Sequence, residues 1–137
     1  MFDALGILMR WLHIASVATL VGGMLYGALV MVPASAALAA DAREALAAKA
    51  AALFRPLVFG AIAALLLSGG YNLATNPGHH PRYYILLSFK LLLVAHVFGV
   101  GILVVTRNPA HRGRLLGGCA ISGLLIILIS AYLRHTF

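Results

Sequence analysis

Acidic side chains are almost absent from this chain of 137 residues, which has three Asp and Glu residues against ten Lys and Arg residues. The three are Asp3, Asp41 and Glu44, and none of them lies inside a long apolar run. A carboxylate proton relay within a membrane is therefore excluded. A Ser-His-Asp hydrolase and a glycosidase with paired carboxylates are disfavoured for the same reason, because both need carboxylates in the active site.

Charged residues of either sign are also scarce. They make up 9% of the chain, hydrophobic residues make up 63%, and the mean hydropathy is +1.01. A soluble domain has about a quarter of its residues charged, so this chain cannot cover its exterior with polar groups, and we expect that exterior to face a lipid bilayer. The single cysteine, Cys119, excludes an internal disulfide and is expected to be a small packing residue.

The net charge of +7 indicates what surrounds the chain. In a soluble protein such an excess suggests a nucleic-acid partner, but the sequence has no RNA- or DNA-binding pattern, so none is predicted. In a membrane protein the same excess is typical of basic cytoplasmic loops that contact anionic lipid.

Four apolar segments are long enough to cross a bilayer, because a hydrocarbon layer about 30 Å thick needs about 20 helical residues. They cover approximately residues 5–32, 57–74, 84–106 and 115–133. The Ala-rich residues 35–54 are predicted to form a helical extension or an interfacial connector, and Arg55-Pro56 is predicted to open the second span. The predicted fold is all-α, an integral membrane four-helix bundle with residues 1–137 in one domain.

The distribution of basic residues predicts the orientation of the bundle. Six basic residues flank the spans on one side, namely Arg43, Lys49, Arg55, Arg107, Arg112 and Arg114. Three flank them on the other side, namely Arg10, Arg82 and Arg134. The positive-inside rule then places the first and third loops in the cytoplasm and both termini outside. We expect a multi-pass protein of the bacterial inner (cell) membrane.

A few polar residues interrupt the spans. Lys90 and His96 lie in the third span, and His13 lies in the first, one helical turn after Arg10. Lys90 and Arg10 are near enough to the outer boundary to extend toward water, whereas an imidazole is too short to do so and needs hydrogen-bond partners where it lies. One interpretation is that each histidine bonds a Ser, a Thr or a backbone carbonyl of a neighbouring helix and only fixes helix register.

A second interpretation is that these polar groups bind a ligand. Two imidazoles on different helices lie beside cations that lack acidic partners, and a mostly apolar anion would complete such a site. Haem b fits, because its iron takes imidazole and its propionates favour cations. The sequence then predicts His13 and His96 as axial ligands, with Arg10, Lys90 and Arg82 near the propionates. The implied role is electron transfer with an unidentified redox partner, and an oxidoreductase activity stays open.

Copper handling is the alternative that uses the same end of the bundle. His13, His79, His80 and His135 would form a mouth of imidazoles, which suit copper. A separate feature is the small-residue stripe of the first span, which includes Gly23 and Gly27. This stripe lies on the side of the helix away from His13, and it is predicted to be a helix-packing face or a homodimer face.

Three segments carry a resemblance to a known family, namely RWLHIASVATLVGGMLYGALV, FRPLVFGAIAALLLSGGYNL and YYILLSFKLLLVAHVF. Together they resemble the copper-resistance protein D (CopD)-like and HemJ-like group of small membrane proteins. The resemblance implies a four-helix membrane bundle. It implies copper passage for CopD-like members, and haem b binding with protoporphyrinogen oxidation for HemJ-like members. It marks His13 and Lys90 as functional, with Arg55 a weaker match, whereas His96 is inferred from the residues alone.

Overall fold

The computed structural model describes residues 3–75, 80–107 and 111–136, and within these ranges it is helical with no strand. The elements are α1 (Ala4–Tyr26), a π-helical turn (Gly27–Met31), α2 (Val32–Ser35), α3 (Ala40–Thr75), α4 (Pro81–Arg107) and α5 (Arg112–Thr136). The first three form one continuous run from Ala4 to Ser35, so the described residues hold four helices that are long and apolar enough to cross a membrane. The predicted all-α four-helix membrane bundle is confirmed.

The second span is where the structure differs from the sequence prediction. α3 continues for 36 residues through the Ala-rich stretch, and Pro56 lies inside it rather than at its start. Proline at this position removes one backbone N–H donor, but the eleven residues from Asp41 to Ala51 are mostly strong helix formers and sustain the helix before it. At 1.5 Å per residue α3 is about 54 Å long, so it exceeds the hydrocarbon thickness of a bilayer and extends beyond it.

Apolar side chains fill the interior and also cover the outside of the bundle. The buried core takes residues from every span, among them Met24, Val58, Val97, Val105 and Cys119. Large hydrophobic side chains remain exposed on the outer faces, with Leu29 at 70% and Leu92 at 69%. A helix that is apolar on all sides is suited to a lipid environment, and this arrangement explains how a chain with so few charged residues folds.

Glycines let the helices approach closely at the predicted small-residue stripe. A Cβ atom on Gly23 would collide with the ring of Phe54 in α3, and one on Gly27 would lie 3.0 Å from Leu116 in α5. Both glycines are therefore used for contacts inside the chain. These contacts favour the helix-packing interpretation of the stripe over the homodimer interface.

Arginine side chains hold together the end of the bundle where α3 and α5 begin, which we call the loop end. Arg55 donates from Nε and Nη2 to the carbonyl oxygen of Val105, at 3.2 and 3.1 Å. Arg112 donates to the carbonyl of Ala47 at 2.8 Å. The Val105 carbonyl is among the last four of α4, which have no partner within an ideal helix. Arg55 and Arg112, which the positive-inside rule uses to predict the orientation of the chain in the membrane, therefore also connect its helices.

Candidate ligand-binding cavity

A cavity of about 590 Å³ lies between the helices, with lining residues from α1, α3, α4 and α5. Its lining is mostly apolar, and its innermost part includes Leu20, Val97, Phe98 and Ile126. The polar lining residues are His13, Asn72, Tyr83, Lys90, Ser130 and Arg134. Ligand pockets in proteins have volumes of about 300–1,000 Å³ and a similar mixture of apolar walls with a few polar groups.

The polar lining residues lie toward one end of the bundle, which we call the terminal end. It consists of the starts of α1 and α4 and the ends of α3 and α5. His13 is nine residues from the start of α1, and Lys90 is nine residues from the start of α4, so both lie about 13 Å along their helices. Helical side chains tilt toward the helix N-terminus. Extension of the Lys90 side chain in this direction takes it toward the terminal end.

His13 is held in place by a neighbouring helix. Its Nδ1 lies 2.9 Å from the hydroxyl oxygen of Ser68 in α3. Ser68 is completely buried, and its hydroxyl also donates to the carbonyl oxygen of Leu65 at 3.4 Å. The second ring nitrogen of His13, Nε2, has no hydrogen-bond partner within the described ranges. The ring is thus fixed at one nitrogen, while the other remains available where the side chain lines the cavity.

The electrostatic character of the cavity is cationic. Lys90 shares the cavity with His13, and Arg134 lines it near the end of α5. Asp3, which immediately precedes α1, is the acidic residue nearest to His13 in the sequence. Its carboxylate accepts a hydrogen bond from the Tyr71 hydroxyl at 3.1 Å. Among residues 3–75, 80–107 and 111–136, no carboxylate forms a salt bridge with Lys90 or Arg134. This distribution favours a ligand that carries negative charge.

The structure separates the residues that the sequence grouped together. His13 and Lys90 share the cavity, whereas His96 is not among its lining residues. The His96 side chain is exposed on the outside of the bundle, with Nδ1 at 3.0 Å from the hydroxyl of Ser122 in α5. Arg10 and Arg82 are exposed and lie outside the lining set as well. Both histidines thus have the serine partner expected if they fix register, but only His13 also faces an internal space.

The imidazoles of the copper interpretation are only partly described. His79 lies outside the described residues, and His80 and His135 are exposed. Within the described part of the chain, no group of three or more His, Cys, Asp or Glu side chains is placed to hold a metal ion.

Several lining residues were not selected from the sequence. Arg134 and Asn72 were readable as polar groups at the terminal end, but nothing in a single sequence showed that they face inward. Ser68, which bonds His13 but does not itself line the cavity, offered a clearer signal, since it is a hydroxyl in an apolar run, seven residues before the end of α3. His13 is nine residues from the start of α1, so in antiparallel neighbours the two lie at similar depth.

Comparison with family models gave no match to this chain, and comparisons with curated proteins and with solved structures gave no significant match either. The resemblance to CopD-like and HemJ-like proteins therefore stays a prediction. The site rests on its own geometry.

Proposed function

We propose that this chain binds haem b in the cavity of its membrane bundle, where His13 would hold the iron, and that it serves electron transfer. The observation that carries the proposal is the joint placement of an imidazole and two cations around one apolar cavity. Lys90 and Arg134 are the cations, and no carboxylate of the described residues neutralises them. The site thus offers nitrogen to a metal and positive charge to acidic groups of the same ligand.

The size and chemistry of the cavity are compatible with the group. Its volume of about 590 Å³ is in the range of pockets that enclose ligands of a few hundred daltons. The innermost part is apolar, which suits the body of a macrocycle. Lys90 and Arg134 line the cavity toward the terminal end, which suits propionates near the membrane boundary.

Each residue of the chain has a defined task in this proposal. His13 binds the metal, and its bond to Ser68 orients the imidazole ring. Lys90 and Arg134 bind and orient the acidic groups, while the apolar walls exclude water. When bound, haem b supplies one-electron transfer between its two iron oxidation states. Among the described residues His13 is the single histidine that lines the cavity, so the proposal no longer needs His96, Arg10 or Arg82 as contacts of the group.

The absorption spectrum of the protein tests the proposal. We expect protein purified in mild detergent from haem-replete cells to show a Soret band with about one haem per chain. His13→Ala should abolish the band or reduce it at least tenfold, because no other histidine in the described part of the chain lines the cavity. His96→Ala is the matched control, since it removes an equally serine-bonded intramembrane imidazole from outside the cavity.

The outcomes separate the competing interpretations. Retention of haem by His96→Ala supports ligation by His13 without His96, whereas loss in both variants would restore the pair of axial histidines predicted from sequence. A protein without a Soret band, even after added haemin, would refute haem binding. Metal analysis of the same preparation tests copper handling, and turnover of protoporphyrinogen in membranes tests the HemJ-like activity. No observation in the described residues favours either over haem binding.

A further inference from the structure

The hydroxyl of Ser68 lies within hydrogen-bond distance of two polar atoms. His13 Nδ1 is 2.9 Å from it, and the carbonyl oxygen of Leu65 is 3.4 Å from it. A serine hydroxyl has one proton to donate and lone pairs to accept with. Ser68 is 0% exposed, so water does not compete for either role.

Two arrangements of protons are conceivable, and they leave different groups unpaired. If Ser68 donates to His13 Nδ1, the proton of the neutral ring is on Nε2, where it lacks a partner within the described residues. If Ser68 donates to Leu65, its oxygen accepts from His13 Nδ1–H, and only a lone pair on Nε2 is unpaired. The charged side chains that line the same cavity, Lys90 and Arg134, can only donate hydrogen bonds, so a lone pair on Nε2 suits this space better than an N–H without an acceptor. The second arrangement is therefore favoured.

We propose that Ser68 is a positioning residue that holds His13 in the Nδ1–H tautomer, with Nε2 unprotonated at the cavity. Metal-binding histidines use this pattern, in which one nitrogen donates to a protein group and the other keeps its lone pair for the ligand. The consequence for haem rests on the proposed function, but the tautomer is a property of the chain itself.

The second histidine–serine pair of the bundle provides an internal comparison. His96 Nδ1 and the Ser122 hydroxyl are 3.0 Å apart, nearly the same distance as in the first pair. Ser122 has no second hydrogen-bond partner among the described residues, and the His96 side chain is exposed. Nothing in this pair fixes the direction of the hydroxyl proton. The constraint on the tautomer is therefore specific to the histidine that lines the cavity.

Nitrogen NMR of the full chain tests the tautomer directly. We would label the protein with ¹⁵N-histidine, reconstitute it in lipid nanodiscs without added haem, and record two-bond nitrogen–proton correlations at mildly alkaline pH, where imidazoles are neutral. The His13 signals are assigned by their loss in His13→Asn. We expect a protonated-type shift for Nδ1 and an unprotonated-type shift for Nε2.

Variants of the two serines provide a second test of the tautomer. Ser68→Ala should change the His13 signals to the Nε2–H tautomer or to an averaged pair, while the matched Ser122→Ala should leave them unchanged. An Nε2–H tautomer in the wild-type chain, or His13 shifts that Ser68→Ala does not alter, would overturn the proposal. This result is independent of haem binding, because no haem is present. Where haem does bind, Ser68→Ala should also shift the reduction potential, which a purely structural role would leave in place.

Discussion

At the scale of single residues, a close contact between α1 and α5 depends on a glycine. A Cβ atom on Gly123 would lie 2.7 Å from one methyl of Val21 and 3.1 Å from the other. Val21 is itself buried and branched at Cβ, so it has little rotamer freedom to move aside. The contact surface of the two helices therefore has no room for a methyl group at position 123.

We predict that Gly123→Ala lowers the free energy of unfolding by about 1–3 kcal/mol, the usual cost of overpacking a tight interior. Gly118→Ala is the control, because the same change in the same helix meets nothing within 4 Å. The melting temperatures of both variants are measured in detergent, with alkylation of the buried Cys119 as the signal of unfolding. Equal melting temperatures for the two would show that α1 can shift away at no cost.

Two residues of the candidate site could be predicted from the sequence, and the reason is physical. His13 and Lys90 are costly in hydrocarbon, and their distance from the helix starts gives their depth. Sequence does not give the rotation of each helix, which depends on where glycines such as Gly23 meet a partner side chain. His96 was therefore grouped with His13, although the structure places it on the outside of the bundle.

At the scale of elements, α3 shows how a local rule can be overridden. Proline is common in a first helical turn, so Arg55-Pro56 was interpreted as a helix start. In the structure the helix begins at Ala40, and the missing N–H of Pro56 falls in its interior. Helix propensity summed over the Ala-rich segment outweighs the single proline. The four spans themselves could be predicted, because the length of an apolar segment is enough to identify a membrane span.

The Arg55 side chain connects this segment of α3 to the end of α4, and its removal should be measurable. Arg55→Gln loses both donors to the Val105 carbonyl, so we expect a loss of stability of about 1–2 kcal/mol, in the range for hydrogen bonds from a charged group. Arg107→Gln removes the same charge from an exposed position at the same end. Alkylation of Cys119 during heating compares them. Similar curves for the two variants would show that the hydrogen bonds from Arg55 to Val105 do not contribute to stability.

At the scale of the whole molecule, the cavity mouth and the larger group of basic residues that flank the spans lie at opposite ends. The polar mouth, with Arg134, is at the terminal end, and Arg43, Arg55 and Arg112 are at the loop end. The positive-inside rule concerns the loop end and predicts that it is cytoplasmic. If so, the mouth opens on the outer side of the membrane, so orientation decides from which side a ligand or a redox partner approaches.

Cysteine labelling tests this orientation, because the chain has a single native cysteine and it is buried. In a Cys119→Ala background, Thr136→Cys marks the terminal end and Glu44→Cys marks the loop end, and both positions are exposed. We expect a membrane-impermeant maleimide to label Thr136→Cys in intact spheroplasts and to label Glu44→Cys only after lysis. The reverse pattern would place the cavity mouth in the cytoplasm. The fold and the His13 site would then stand unchanged, but any redox partner would have to be sought on the cytoplasmic side.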